Sequence, residues 1–487
     1  MKGIYFLKIA TIGIGLTLAS CSDLLDVQPR ASIDSVTALT TEDAINAAVN
    51  GIYDRLQSTF LYGRDLIAIP EALADNGRAT NKSGRLNAEY QNQVGAHFAH
   101  WQTSYFAINQ ANLVLDALPK IDKMSQANKD FVEAQALFIR GLLYFELMRA
   151  YTYEPSVELT QVSKGGVPII KSGVIDATQI KLEGRASINE VYDFIYSDLT
   201  GAIAKFTSSG KTATAAFANK TATQALFSRV ALYRGDWTNS AKYATDAMAT
   251  GSIGRFQTTA NYVASWRSAN QPESIFEIQY QTNENIGVNT SLQTTYTTLV
   301  APGNRTTTGG FGDLVPTRAL LDLFDSEKDA SGATIPDVRR QMYELGTAGR
   351  GTAEIECTKF LGRSGQVNLD NIPVIRVSEM YLNRAEALAK SGNVAGALAD
   401  LNVIRNRAGL PTVTDLTGAS LINEILKQRR LELAFEGHRF FDLKRLGSDI
   451  VKAAPVQSIT FSDFRILANI PVREIQANAN LKQNAGY

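Results

Sequence analysis

The residues in this sequence that could do chemistry are few, and the first is Cys21. It follows Leu18, Ala19 and Ser20 at the end of an apolar stretch over residues 9–19, behind Lys2 and Lys8. That stretch is too short to span a bilayer, which takes about 20 apolar residues, and it fits the apolar core of a secretory signal. Small residues before a cysteine look like a lipobox, in which cleavage precedes the cysteine and its thiol takes diacylglycerol, with acyl chains such as palmitate. The bland reading is an ordinary signal peptide with a chance cysteine; the position of the thiol favours lipidation. The acyl chains of such an anchor together bury far more methylene than a single myristoyl chain, whose binding is marginal.

Glu432 and Glu436 stand four apart among Arg429, Arg430, His438, Arg439, Asp442 and Lys444. A carboxylate pair is what a glycosidase needs as acid and base. Alternation with Leu431, Leu433, Phe435, Phe440 and Phe441 points instead to a charged helix wedged into a scaffold. Its charges would pair one turn away, each exposed pair contributing about 0.3–0.5 kcal/mol. His97 and His100 could share a helix face as metal ligands. Zinc takes three or four ligands, and the remaining histidine, His438, is far along the chain. They therefore read as polar surface residues, and no metal or cofactor is expected. No phosphate-binding glycine loop, HExxH pattern or Ser-His-Asp arrangement stands out, so no catalytic residue is assigned. Lys+Arg and Asp+Glu both number 48, so no net field favours nucleic acid.

The elements that must position any site are mostly helices. Cleavage before Cys21 leaves 487 − 20 = 467 residues, enough for one large or two to three ordinary domains. Once Cys21 is acylated, Cys357 is the one remaining cysteine, and stability must come from packing. Apolar residues at helical spacing run over 130–151 (Phe131, Ala134, Phe138, Leu142, Phe145, Met148) and over 103–118, where Phe106, Ala107, Ala111, Val114 and Leu118 share a face. Residues 219–234 and the helix after Gly235-Asp236-Trp237 form a hairpin. A second hairpin joins 377–390 to 394–407 through Ser391-Gly392-Asn393. Small packed residues and a Gly-Asp or Gly-Asn turn mark tetratricopeptide-like pairs, here degenerate. The expected fold is all-α, a helix-pair scaffold interrupted by loop-rich regions at 70–100 and 281–318. Long loops in a compact domain are uncommon unless they bind something or are disordered.

A family resemblance covers nearly the whole mature chain. It opens at Asp26-Val27-Gln28-Pro29 and continues through Asn50-Gly51-Ile52-Tyr53, Trp101 with Tyr105, Ile108 and Ala111-Asn112, and Phe138-Ile139-Arg140-Gly141 with Tyr144-Phe145 and Arg149. Gly312-Asp313-Leu314-Val315-Pro316-Thr317 fits the central segment. The C-terminal third is the most specific. Ile375-Arg376 leads to Glu379-Met380-Tyr381-Leu382, Ala385-Glu386-Ala387, Leu401-Asn402 and Arg405-Asn406-Arg407-Ala408-Gly409-Leu410. Arg429-Arg430-Leu431-Glu432-Leu433-Ala434, Glu436-Gly437-His438-Arg439, Asp442-Leu443, Ile470-Pro471, Glu474-Ile475, Asn478 and Gln483-Asn484-Ala485-Gly486-Tyr487 complete it. In this order, behind a lipobox, they resemble the SusD/RagB family of nutrient-uptake outer-membrane lipoproteins. Thr152-Tyr153-Glu154-Pro155 stands where the family has glycine and a proline turn, and Ala485 where proline is common.

The resemblance implies a cleaved signal over 1–20 and one domain over 21–487, with an N-terminal part at about 22–210 interleaved with a C-terminal part at about 211–487. It implies a hinged lid on a SusC-like TonB-dependent transporter, anchored to the outer membrane on the extracellular side, capturing oligosaccharides or, in the RagB branch, oligopeptides. Four degenerate helix pairs would face the barrel and the loops the ligand. Ser22 does not resemble the aspartate that retains lipoproteins in the inner membrane, and Asp23 and Asp26 are similar to the acidic stretch of surface-exposed lipoproteins in Bacteroides-type bacteria. Sugars stack apolar faces on aromatic rings and need polar partners for their hydroxyls. The candidates are therefore Asp75, Asn76, Arg78, Arg85 and Tyr90 in the first loop region, Tyr296 and Phe311 in the second, and Trp266 just before it. Trp101 and Trp237 lie in helix pairs and read as core. Alternatives are a helix-repeat adaptor gripping a protein, or a hydrolase with a carboxylate pair in the loop half.

Overall fold

The computed structural model describes residues 39–249 and 251–487; the signal segment and Cys21 lie outside them. The helices begin where a side chain can satisfy free backbone N–H groups. Thr41 caps α1 (Glu42–Leu56), whose Ile45, Val49, Ile52 and Leu56 are buried on one stripe. The next helix, α2 (Asp65–Leu73), is buried on every side. Two long helices follow, α3 (Trp101–Ala117) and α4 (Gln126–Tyr151), the latter capped by Ser125. Then comes α5 (Ile188–Ser209), where Ser187 and Glu190 form a capping box. The first predicted hairpin is α6 (Lys220–Arg234) and α7 (Trp237–Met248), with Gly235 left-handed at φ 81° and Asp236 capping α7. A short helix, α8 (Leu292–Tyr296), precedes the second hairpin of α9 (Val377–Lys390) and α10 (Val394–Ala408), capped by Asn393. Finally come α11 (Gly418–Glu432) and α12 (Arg439–Arg445).

Neighbouring helices pack in an irregular succession, α1 on α3, α3 on α4, α4 on α5, α5 on α6 and α6 on α7, with α7 then meeting α9, which holds α10 and α11. Guanidinium–carboxylate pairs are buried between helices: Arg140 with Asp198 at 2.7 Å, Arg229 with Glu379 at 2.5 Å, Arg445 with Glu386 at 2.6 Å and Arg429 with Asp442 at 2.9 Å. Removing one member of such a pair strands a buried charge, at a cost of about 3–5 kcal/mol.

Three two-stranded antiparallel sheets stitch distant parts together. β1 (Gly77–Ala79) pairs with β3 (Leu314–Pro316), β2 (Ser274–Ile278) with β6 (Ile372–Arg376), and β4 (Tyr343–Leu345) with β5 (Ile355–Cys357). One buried apolar cluster reaches from Ile45 to Leu481, with a satellite of Ala385, Ala397, Leu401, Leu421 and Ile425.

Several side chains depart from the expected pattern. Phe106, assigned to an apolar face, is 52% exposed, and Trp237 is only partly buried at the start of α7. The region 70–100 is not loop throughout, because residues 70–73 finish α2 and 77–79 form β1. Within 281–318, α8 and β3 are buried.

Candidate functional site

The two loop regions meet. Beyond the β1–β3 ladder, the Thr80 hydroxyl donates to the Gly312 carbonyl at 2.7 Å and the Arg85 guanidinium to the Asn289 carbonyl. Arg85 also pairs with Asp313 at 2.9 Å. Beneath this join lies Glu356 of β5, fully buried. Its Oε2 accepts from Thr297 Oγ1 at 3.0 Å, Thr298 N–H at 2.7 Å and Thr298 Oγ1 at 2.8 Å, and Lys82 Nζ lies 3.5 Å from Oε1. A Cβ on Gly346 would fall 2.2 Å from this carboxyl and one on Gly312 2.8 Å from it. These glycines let two chain segments close over a single carboxylate.

A cleft of about 420 Å³ opens beside the join, lined by Phe60, Arg64, Asp65, Ile69, residues 84–86, 88 and 89, His97, Ala99 and Thr295. Phe60 stands on its rim, 50% exposed. Burial raises the Asp65 carboxyl against the pull of Arg64, 2.8 Å away. Burial also raises Glu89, and the negative charge of Asp65 adds to that shift. The walls thus offer carboxylate acceptors, guanidinium donors and an apolar rim within one cleft.

Phe311 lies beside it, with Arg85 over its ring at 4.4 Å and Arg350 at 4.1 Å. Two guanidinium groups cannot share one face at those distances, so they take opposite faces, and Phe311 has no open face to stack on a sugar. Of the residues expected to bind ligand, Arg85 and Phe311 are therefore brought together at the cleft. Arg78 is on the surface, paired with Glu354 at 2.9 Å.

The other five serve the interior. Asp75 holds Arg439 at 2.6 Å and Arg430 at 3.2 Å; burial would raise its carboxyl, and these two cations hold it below the ordinary value. Asn76 is fully buried, donating to Glu71 Oε2 at 2.9 Å and accepting from Arg430 Nε at 2.8 Å. Tyr296 is fully buried, its hydroxyl donating to the Ile67 carbonyl at 3.2 Å. Trp266 is buried beneath Lys359 and Arg376, at 5.0 and 5.2 Å from its ring. Tyr90 is buried against the Lys452 ammonium at 4.7 Å. Sequence polarity cannot distinguish such inward-facing side chains from ligand-facing ones when the partner cation lies hundreds of residues away.

The histidines and the glutamate pair are also interior. His97 and His100 are buried rather than on the surface, and burial lowers both to about 3, so they are neutral. Burial likewise lowers His438 far below its usual value. Among the described residues no group of three or more His, Cys, Asp or Glu is placed to hold a metal ion. Glu432 and Glu436 do not form exposed pairs one turn away. Glu436 binds Arg376 at 2.7 Å and Lys359 at 2.5 Å, and Glu432 binds Arg407 at 2.5 Å and Arg376 at 3.1 Å. Burial would raise the Glu432 carboxyl, but Arg407, Arg376 and Arg339 hold it well below the carboxylate range. Both are enclosed away from any glycan.

Sequence reasoning missed Phe60, Arg64, Asp65, Glu89 and Arg350. For Arg350 a signal was present, since Gly346, Gly349 and Gly351 frame it. For Phe60 the signal is its place after α1, where no helical period gives it a partner.

Comparison with known proteins follows the same lines. A family model described as the SusD family matches residues 357–487, and one described as starch-binding associating with outer membrane matches residues 23–232. A SusD-like protein of Formosa agariphila is 26% identical over 521 residues, spanning 99% of each chain. The starch-binding protein SusD of Bacteroides thetaiotaomicron is 33% identical over 125 residues, 24% of this chain and 22% of that one. Among solved structures, a putative sugar binding protein from Bacteroides vulgatus superposes with a TM-score of 0.79 at 28% identity, covering 93% of this chain and 100% of the other. A SusD superfamily protein from Bacteroides thetaiotaomicron gives 0.78 at 27%, covering 91% and 99%.

Proposed function

The chain belongs to the SusD/RagB family, and from that premise we propose that it captures an oligosaccharide in the cleft beside Arg85. It does so as the hinged lid of a SusC-like TonB-dependent transporter, held at the outer membrane by lipid on Cys21 and facing outward, and it carries out no catalysis itself. The observation that carries the reading is the make-up of the cleft wall. Asp65 and Glu89 can accept from sugar hydroxyls, Arg64 and Arg85 can donate to them, and Phe60 can cover an apolar sugar face. The names of the starch-binding and sugar-binding relatives support carbohydrate over peptide.

The test is retardation of the soluble chain beginning at Ser22 in native gels containing a panel of polysaccharides, with an oligopeptide pool followed by calorimetry. One glycan should retard the protein, and Phe60→Ala should abolish the shift. Heat with peptides and no glycan shift would replace this reading with peptide capture. Silence in both would leave the helix-repeat adaptor as the better account.

A further inference from the structure

The cations around the cleft and its outer loops divide into two groups. Arg64, Arg78, Lys82 and Arg85 each have a carboxylate within reach: Asp65 at 2.8 Å, Glu354 at 2.9 Å, Glu356 at 3.5 Å and Asp313 at 2.9 Å. Arg305 and Arg350 are exposed and have no carboxylate partner among the described residues.

Arg350 is nonetheless not a loose surface side chain. Its guanidinium lies 4.1 Å from the centre of the Phe311 ring, and its Nε donates to the Gly310 carbonyl at 3.3 Å. The loop that carries it is seated by a Thr308–Thr347 hydroxyl contact at 2.7 Å. Gly349 is packed so closely that a Cβ there would fall 2.2 Å from Thr308 Oγ1, and Gly351 has φ 98°. Stacking and one hydrogen bond thus fix the plane of the guanidinium, while its two terminal nitrogens have no protein partner. A guanidinium held in this way has already given up much of its rotamer freedom. Its free edge matches the two oxygens of a carboxylate or a sulfate.

We propose that the captured glycan is anionic, bearing carboxylate or sulfate groups, and that Arg350, oriented by Phe311, holds one of them beside the cleft, across the Phe311 ring from Arg85. This rests on the carbohydrate reading above. Arg305 stands three residues before Thr308, whose hydroxyl meets that of Thr347 on the Arg350 loop. The polar cleft next to it takes the neighbouring sugar ring through Asp65, Glu89 and Arg64.

The experiment runs the soluble chain through affinity gels containing a polyuronate, a sulfated galactan, or neutral glucans and mannans, at low and high salt. Retardation is expected from the polyuronate or the sulfated galactan, and which of the two responds identifies the anion. The shift should weaken in high salt, because exposed charge interactions are screened. Arg350→Gln should lower affinity about tenfold or more, the scale of a lost charge-assisted contact, with its melting temperature unchanged. Arg350→Lys, which keeps the charge without the fork, should fall between. Retardation by neutral glycans alone, unaffected by Arg350→Gln, would overturn the inference and leave carbohydrate capture standing. Failure of every glycan to retard the protein would overturn both.

Discussion

Asp370 illustrates what burial does to one carboxyl. Its Oδ1 accepts the Gly362 N–H at 3.0 Å, while its Oδ2 is buried without a partner. Burial raises it from 3.8 to about 7, against the pull of Gly362 and Arg267. Between about pH 4 and 7 the folded protein keeps a proton that the unfolded chain has released. Stability is therefore greatest at the acid end of that window and falls as pH rises through it. Asp370→Asn keeps the acceptor and removes the titration. The variant should show a shallower decline from pH 4 to 7 and gain about 1–2 kcal/mol at pH 8, read by urea denaturation at pH 5 and 8. Buried Glu71, also raised to about 7 by burial, should preserve the rest of the slope. An unchanged slope would mean that Asp370 ionises freely in the fold. Residue pairing of this kind is the part least legible in sequence. Glu432 and Glu436 are visible four apart, but the partners that make them structural, Arg376 and Arg407, come from β6's end and α10.

At the scale of elements, legibility follows periodicity. The helices at 101–117, 126–151, 220–234, 377–390 and 394–408 lie where apolar spacing places them, because the helical period is local in sequence and survives even over 138–151 and 221–233, where every residue is buried. Buried α2 is too short to show a period, nine residues with Pro70 inside them. What covers it is the turn between α11 and α12. Gly437, at φ 82°, approaches so closely that a Cβ would fall 2.4 Å from the Leu66 carbonyl oxygen, and its N–H donates to Glu71 Oε1 at 3.2 Å. Arg430 and Arg439 reach across the same seam to Asp75. Gly437→Ala should destabilise the protein by about 2 kcal/mol or more, since both the left-handed backbone and the contact with α2 oppose a side chain. Denaturant unfolding measures it, and a variant as stable as the parent would show that α2 can move aside.

Over the whole molecule, the loops around the cleft are fastened to the helical scaffold through β1–β3, β2–β6 and the Asp75 cations, which join residues far apart in the chain. No described helix is long and apolar enough to cross a membrane, and the attachment we propose is lipid on Cys21. Cys21→Ala should move the protein from the membrane fraction to the soluble fraction in cell fractionation, and the parent should co-purify with a TonB-dependent barrel; a variant still in the membrane fraction would point to another means of attachment. The architecture was legible because helix pairs and ordered motifs run through the chain, whereas the cleft was not, because its shape depends on loops meeting across it. Those loops converge on buried Glu356, which holds the Thr298 N–H, the Thr297 and Thr298 hydroxyls and the space left by two glycines, and takes no grip on the loop tips themselves. The tips around Arg305 and Arg350, seated on each other through Thr308 and Thr347, can therefore change together in length and composition while their roots stay put. A lineage could acquire a new diet by rewriting these crests alone, and an engineer could graft foreign crests onto the same roots.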